Sequence, residues 1–170
     1  MFKRLVPLLA ALAFAAPALA TPQPQQSIEL TRMAGRWYEV ARVPNKVQNG
    51  CEAGASEWRR EGEGFQVLQT CRKGGPDGPV SEWKATAKVA DPKTNAKFKM
   101  SFFGGLVQKE YWVLDHSADW LILSTADGKY LWLMSQKPVL PGAARGQALT
   151  RIRQLGFDAS RLEFPPPGRS

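Results

Sequence analysis

Polar and apolar residues alternate with a period of two along most of this chain, and the alternation first becomes regular at Gly35-Arg36-Trp37-Tyr38-Glu39-Val40-Ala41-Arg42. Read as a strand, this stretch sets Trp37, Glu39 and Ala41 on one face and Tyr38, Val40 and Arg42 on the other. Further extended segments are predicted at about 51–60, 64–73, 81–90, 95–103, 111–115, 120–125 and 129–135. Two alternate sharply. Trp83, Ala85, Ala87 and Val89 stand against Lys84, Thr86 and Lys88, and Phe98, Met100 and Phe102 stand against Lys97, Lys99 and Ser101. Turn formers separate the segments: Glu61-Gly62-Glu63-Gly64, Gly74-Gly75-Pro76-Asp77-Gly78-Pro79, Asp91-Pro92-Lys93-Thr94, Gly104-Gly105 and Ala126-Asp127-Gly128. Eight short strands at roughly ten-residue spacing predict an all-β antiparallel sandwich or barrel.

After Pro138 the period becomes helical. Ala144, Ala148, Ile152 and Leu155 mark one face of a helix from about Pro141 to Leu155, with Gly156 as its stop. A lone helix with a shallow, Ala-rich stripe is expected to pack outside the sheet rather than on a membrane. Phe157–Phe164 is expected to add a short closing strand, and Pro165-Pro166-Pro167 to begin a disordered tail over 165–170.

The first twenty residues read as an export leader. Lys3 and Arg4 precede an apolar run from Leu5 to Leu19, and Ala18-Leu19-Ala20 forms a small-residue cleavage site. That run contains Pro7 and Pro17 and is too short to span a bilayer comfortably. Residues 21–27 read as a flexible polar linker, and 28–164 as one domain. No Cys follows the apolar run directly, so a soluble periplasmic or secreted protein is expected rather than a lipid-anchored one. The formal charge of +8 is dispersed, with no run of like charges and no nucleic-acid motif. Nucleic acid is therefore not an expected partner, whereas weak contact with an anionic membrane surface is compatible with the charge.

Gly35-x-Trp37-Tyr38-Glu39 resembles the first motif of the lipocalin family, in its bacterial and apolipoprotein-D-like branch. Ser101-Phe102-Phe103-Gly104, Tyr111-Trp112-Val113-Leu114-Asp115, Tyr130-Leu131-Trp132-Leu133-Met134-Ser135 and Leu155-Gly156-Phe157-Asp158 resemble later segments of that branch. The resemblance covers about 28–164 and implies an eight-stranded up-and-down barrel, or calyx, with one C-terminal α-helix outside. It also implies carriage of a small hydrophobic or amphiphilic ligand such as a fatty acid or lysophospholipid. Gly35, Trp37 and Gln136 would form the closed end. The family usually places an Arg where Gln136 stands, stacked over the first-motif Trp, so the packing here must differ or use Lys137.

Cys51 and Cys71 are an even pair in an exported chain, which points to a disulfide. A hairpin centred on Glu61 would set them directly opposite one another. Free thiols, or a catalytic thiol in the calyx as in a lipocalin-like enzyme acting on a lipid or isoprenoid, are the alternatives. Otherwise no catalytic constellation stands out, and no cofactor or metal is expected. His116 is the only histidine and sits in a turn, and no phosphate loop or Gly-x-Ser-x-Gly motif occurs. The expected ligand-binding residues are Trp83, Ala85, Ala87, Phe98, Met100 and Phe102. Glu39 is either a head-group contact or a hydrogen-bonding group at the barrel floor. A third possibility is protein recognition by the loops over a filled calyx, which exposed side chains around Phe103-Gly104-Gly105-Leu106 would favour.

Overall fold

The computed structural model describes residues 21–167, so the leader read at 1–20 lies outside the described residues. Eight antiparallel strands close into one up-and-down barrel in sequence order. They are β1 (Gly35–Arg42), β2 (Cys51–Glu61), β3 (Gly64–Lys73), β4 (Val80–Val89), β5 (Lys97–Phe102), β6 (Val107–His116), β7 (Leu121–Thr125) and β8 (Leu131–Ser135). A short helix α1 (Leu30–Met33) enters the barrel, and α2 (Gly142–Gln154) follows it. Strand β1 pairs with both β2 and β8, and that double pairing seals the sheet on itself.

The alternation legible in the sequence divides the side chains between two cores. Inside the barrel lie Trp37, Trp58, Phe65, Val67, Ala85, Ala87, Phe98, Met100, Val113, Leu121 and Met134, with Ile28 and Met33 closing from below. Outside, Leu114, Trp120, Ile122, Leu131 and Leu133 meet Ala148, Ile152 and Leu155 of α2. The helix stops as its glycine requires. Gly156 has φ 87°, its N–H bonds Arg153 O, and the Phe157 N–H reaches back to Ile152 O at 3.2 Å.

One polar clamp holds α2 to the barrel. Arg151 donates from Nε to Asp115 Oδ2 on β6, while Gln26 Nε2 reaches Asp115 Oδ1 at 2.6 Å. Burial alone would raise the Asp115 carboxyl, but hydrogen bonds from Arg151, Gln26 and the His116 N–H outweigh it and hold the pKa below the ordinary carboxylate range. A depressed carboxyl contributes stability above its unfolded pKa and loses it as pH falls through the folded value. Asp115→Asn should therefore cost about 1–3 kcal/mol at neutral pH. It should also make the remaining stability less sensitive to acid, as urea unfolding at neutral and acidic pH would show.

Four expectations are corrected. Between Glu39 and Ala41 the β1–β8 register shifts at a bulge. Ala41 therefore joins the outer core, and Arg42 turns in opposite Trp132. The β2–β3 hairpin pairs Glu61 with Gly64, so Cys71 faces Gly54 rather than Cys51. Phe157–Phe164 forms no strand; one antiparallel bridge joins Glu163 to Arg42. Residues 21–27 are not a free linker, because Gln25 N bonds Leu114 O at 2.8 Å and His116 Nε2 meets Ser27 O at 3.0 Å.

Candidate ligand-binding calyx

The closed end is built around Trp37, 2% exposed, whose indole N–H donates to Met33 O at 3.0 Å. Gly35 has φ 104°, a conformation in which an L side chain is strained, and it turns the chain from α1 into β1. Gln136 Nε2 donates to Ala34 O at 3.2 Å and to Arg32 O at 3.5 Å, tying the end of β8 to that turn. Lys137 reaches Asp119 at 3.3 Å instead of the ring. The neutral amide thus bridges two carbonyls where the family resemblance would place a stacked cation.

Above Trp37 the interior forms two tiers. In the lower one Trp58, Phe65 and Phe98 meet edge to face, with centroids 5.4–6.1 Å apart. Ala85 and Ala87 are small, and the register sets Val67 beside Ala85 and Phe65 beside Ala87. These rings fill the room that the alanines leave. Ala87, Phe98 and Met100 are accordingly 0–1% exposed and form a packed floor.

One inward position further along each strand, exposure begins. Trp83, Phe102, Tyr111, Leu123 and Trp132 are all half-buried and line the mouth. Phe102 packs on Tyr111 at 6.5 Å, and Tyr111 on Trp132 at 5.8 Å. Burial, assisted by the Asp127 carboxylate, pushes the Tyr111 phenol up to about 12, so it stays neutral. Ala85, 6% exposed, marks the boundary between the tiers.

Glu39 belongs to a buried network beside this wall. It accepts from Arg42 Nη1 at 3.0 Å and from Gln48 Nε2 at 2.8 Å. Gln48 in turn accepts from Trp132 Nε1 at 2.8 Å. Arg42 also donates to Cys51 O at 2.6 Å and to the Glu163 carboxylate. A Cβ at Gly54 would stand 2.0 Å from Glu39 Oε2, so this carboxylate needs a glycine on β2. Burial pushes the Glu39 carboxyl up, against the opposing pull of Arg42 and Gln48. The carboxylate is thus occupied by protein partners.

Cys51 and Cys71 form a disulfide with Cα atoms 5.4 Å apart. The bond is possible despite the shifted hairpin register, because a bulge between Cys51 and Ala53 rotates the start of β2. Both cysteines of the chain are consumed, which removes the nucleophile from the thiol-enzyme alternative. Outside the barrel, a cleft of about 510 Å³ runs between α2 and β6. Its walls include Gln26, Asp115 and Arg151, already bonded to one another.

Of the ligand-binding residues expected from the sequence, the structure sets Trp83 and Phe102 at the mouth, Ala85 at the boundary and Ala87, Phe98 and Met100 in the floor. Tyr111, Leu123 and Trp132, also at the mouth, were not among those expected. The alternation of Tyr130-Leu131-Trp132-Leu133 could have found Trp132. No local signal could have found Arg42, because its inward turn depends on the bulge.

A closed antiparallel barrel with a sealed floor, an aromatic mouth and one external helix defines a calyx of the small-molecule-binding barrel class. The sequence profile of the lipocalin-like domain matches residues 28–167, and the chain belongs to the lipocalin family. Outer membrane lipoprotein Blc of Vibrio cholerae is 29% identical over 149 residues, covering 84% of each chain. Blc of Escherichia coli K12 is 28% identical, covering 94% of this chain and 95% of its own. Mouse apolipoprotein D is 26% identical over 84% of this chain and 78% of its own. Among solved structures, insecticyanin from the tobacco hornworm Manduca sexta superimposes with a TM-score of 0.70 at 21% identity, covering 85% of this chain and 83% of its own. Lobster apocrustacyanin A1 does so with 0.66 at 14% identity, covering 91% and 94%.

Proposed function

We propose that this lipocalin carries a small hydrophobic or amphiphilic molecule, such as a fatty acid or lysophospholipid, in the upper half of its calyx. The observation that carries the reading is the tier of half-buried aromatic side chains directly above a fully packed floor. Trp83, Ala85 and Phe102, with Tyr111, Leu123 and Trp132, would line the acyl chain. Ala87, Phe98 and Met100 would form the base it rests on, and Glu39 would hold the wall rather than a head group. Burial of each methylene contributes roughly 0.8 kcal/mol, so affinity rises with chain length until the floor is reached. No step of this function requires a catalytic group or a cofactor.

Export to an oxidising compartment such as the periplasm fits the leader and the disulfide. Among the described residues no helix is long and apolar enough to cross a membrane. A carrier of membrane-derived ligands would also touch anionic lipid.

The test is binding of saturated fatty acids and lysophospholipids of increasing length, read by tryptophan fluorescence. Quenching should strengthen with length and then level off. Ala85→Trp should fill the base of the upper tier, where the acyl chain would lie, and abolish binding, while costing no more than about 1–3 kcal/mol of stability. Binding indifferent to length and untouched by that substitution would place the ligand elsewhere.

A further inference from the structure

In an up-and-down barrel, alternate connections share one end. The β1–β2, β3–β4, β5–β6 and β7–β8 connections therefore ring the mouth of the calyx. Among the described residues seven large apolar side chains are exposed, and five of them stand at this one end. They are Val47 (80%), Val80 (43%), Phe103 (64%), Leu106 (87%) and Val107 (43%). Of the other two, Phe164 is covered by the Arg145 guanidinium at 4.3 Å, and Val139 lies at the opposite end.

The two most apolar tips are held in place rather than left slack. Phe103 has φ 52°, an unusual conformation for a bulky side chain, and Gly104 (67°) and Gly105 (97°) continue the left-handed run. The backbone is bent so that the phenyl ring projects into solvent. Val47 is carried by a 3-10 turn whose neighbour Gln48 is pinned by Asn45 at 3.0 Å and by the Glu39 network.

Charge follows the same division. Val43–Gly50 and Ser101–Lys109 contain no acidic residue, whereas Lys46 adjoins Val47 and the exposed Lys109 lies two residues past Val107. Lys73 and Lys129 stand at the other two connections. Acids stand at this end too, but off the Val43–Gly50 and Ser101–Lys109 segments. Asp77 and Asp127 lie on those same two connections, with Asp127 accepting from Thr125 Oγ1 at 2.6 Å and Lys129 N at 3.1 Å. The exposed Glu52 opens β2, and the exposed Glu110 follows Lys109 on β6. Apolar tips on separate loops with cations set behind them match a flat surface of acyl chains below anionic phosphates.

We propose that the open rim docks on an anionic phospholipid bilayer. Val47, Phe103 and Leu106 enter below the head groups, and Lys46 and Lys109 meet the phosphates. Docking turns the mouth of the calyx toward the lipid, so a ligand passes between bilayer and barrel without crossing water. That last consequence rests on the carrier reading above, whereas docking itself does not.

Flotation with vesicles of phosphatidylethanolamine and phosphatidylglycerol tests this, with pure phosphatidylcholine vesicles for comparison. Wild type should float with the anionic vesicles, less so as salt screens the lysines. Phe103→Ser combined with Leu106→Ser should lower partition by about tenfold or more, because two apolar side chains no longer leave water. That variant should keep its melting temperature and its affinity for a fatty acid in vesicle-free solution. Val139→Ser should float like wild type, and Lys46→Glu with Lys109→Glu should abolish the preference for anionic vesicles. Equal flotation of wild type and the Phe103/Leu106 variant would overturn the proposal. So would absence of wild-type flotation, including the case in which the rim proves to join two copies or a protein partner. Loss of fatty-acid binding by wild type in free solution would instead overturn the carrier reading and leave docking standing.

Discussion

Replacing Arg42 by alanine should destabilise the barrel by about 3–5 kcal/mol, the cost of leaving a buried charge without its partner. Three groups lose their donor at once: the Glu39 carboxylate, the Cys51 carbonyl and the Glu163 carboxylate. Glu39 is only 5% exposed and cannot turn to water. Its carboxyl is already pushed up by burial, and without the guanidinium it should rise further. The sign of the pH dependence follows. A carboxyl whose folded pKa lies above its unfolded value favours folding at low pH, and that contribution is lost as pH rises through the folded value. Arg42→Ala should therefore regain part of its lost stability on mild acidification. Adding Glu39→Gln should both recover stability at neutral pH and flatten the profile. Urea unfolding across pH measures each outcome, and an Arg42→Ala variant as stable as wild type would show that the network contributes nothing.

Trp37→Ala should cost about 3–5 kcal/mol as well, for a different reason. Here a ring is deleted from the closed end, and Met33, Ile28 and the lower tier lose a common neighbour. The Met33 carbonyl also loses its indole donor. Ligand binding should survive wherever the variant remains folded, because Trp37 lies beneath the packed floor and out of reach of the mouth. Thermal unfolding together with the fluorescent fatty-acid titration separates the two effects. A variant with an unchanged melting temperature and no binding would move Trp37 from the floor to the ligand site.

The eight strands and the helix were legible because their causes are local. A half-buried strand must alternate, a helix on a barrel must repeat near every fourth residue, and turns need Gly, Pro, Asn or Asp. Register was less legible. Alternation gives parity but not offset, and a hairpin with Gly62 and Glu63 at its tip pairs Glu61 with Gly64, not residues about a centre at Glu61. The bulges in β1 and β2 add residues that periodicity cannot announce, and they decide that Arg42 enters the wall and that Cys51 still reaches Cys71.

Depth within the calyx was beyond sequence reasoning. Ala87, Phe98 and Met100 share one face with Trp83 and Phe102, and nothing local separates the two groups. What separates them is Trp58 and Phe65, supplied by a different hairpin and packed against Phe98 across the barrel. By itself the sequence determined which side chains point inward wherever a strand keeps its pleat, and lost that parity past the β1 bulge, at Ala41 and Arg42. Which of those side chains stand at the mouth and which pack on one another was decided by tertiary structure alone. Filling a volume is a property of all the chains that face it, and strands far apart in sequence contribute the rings that close this one.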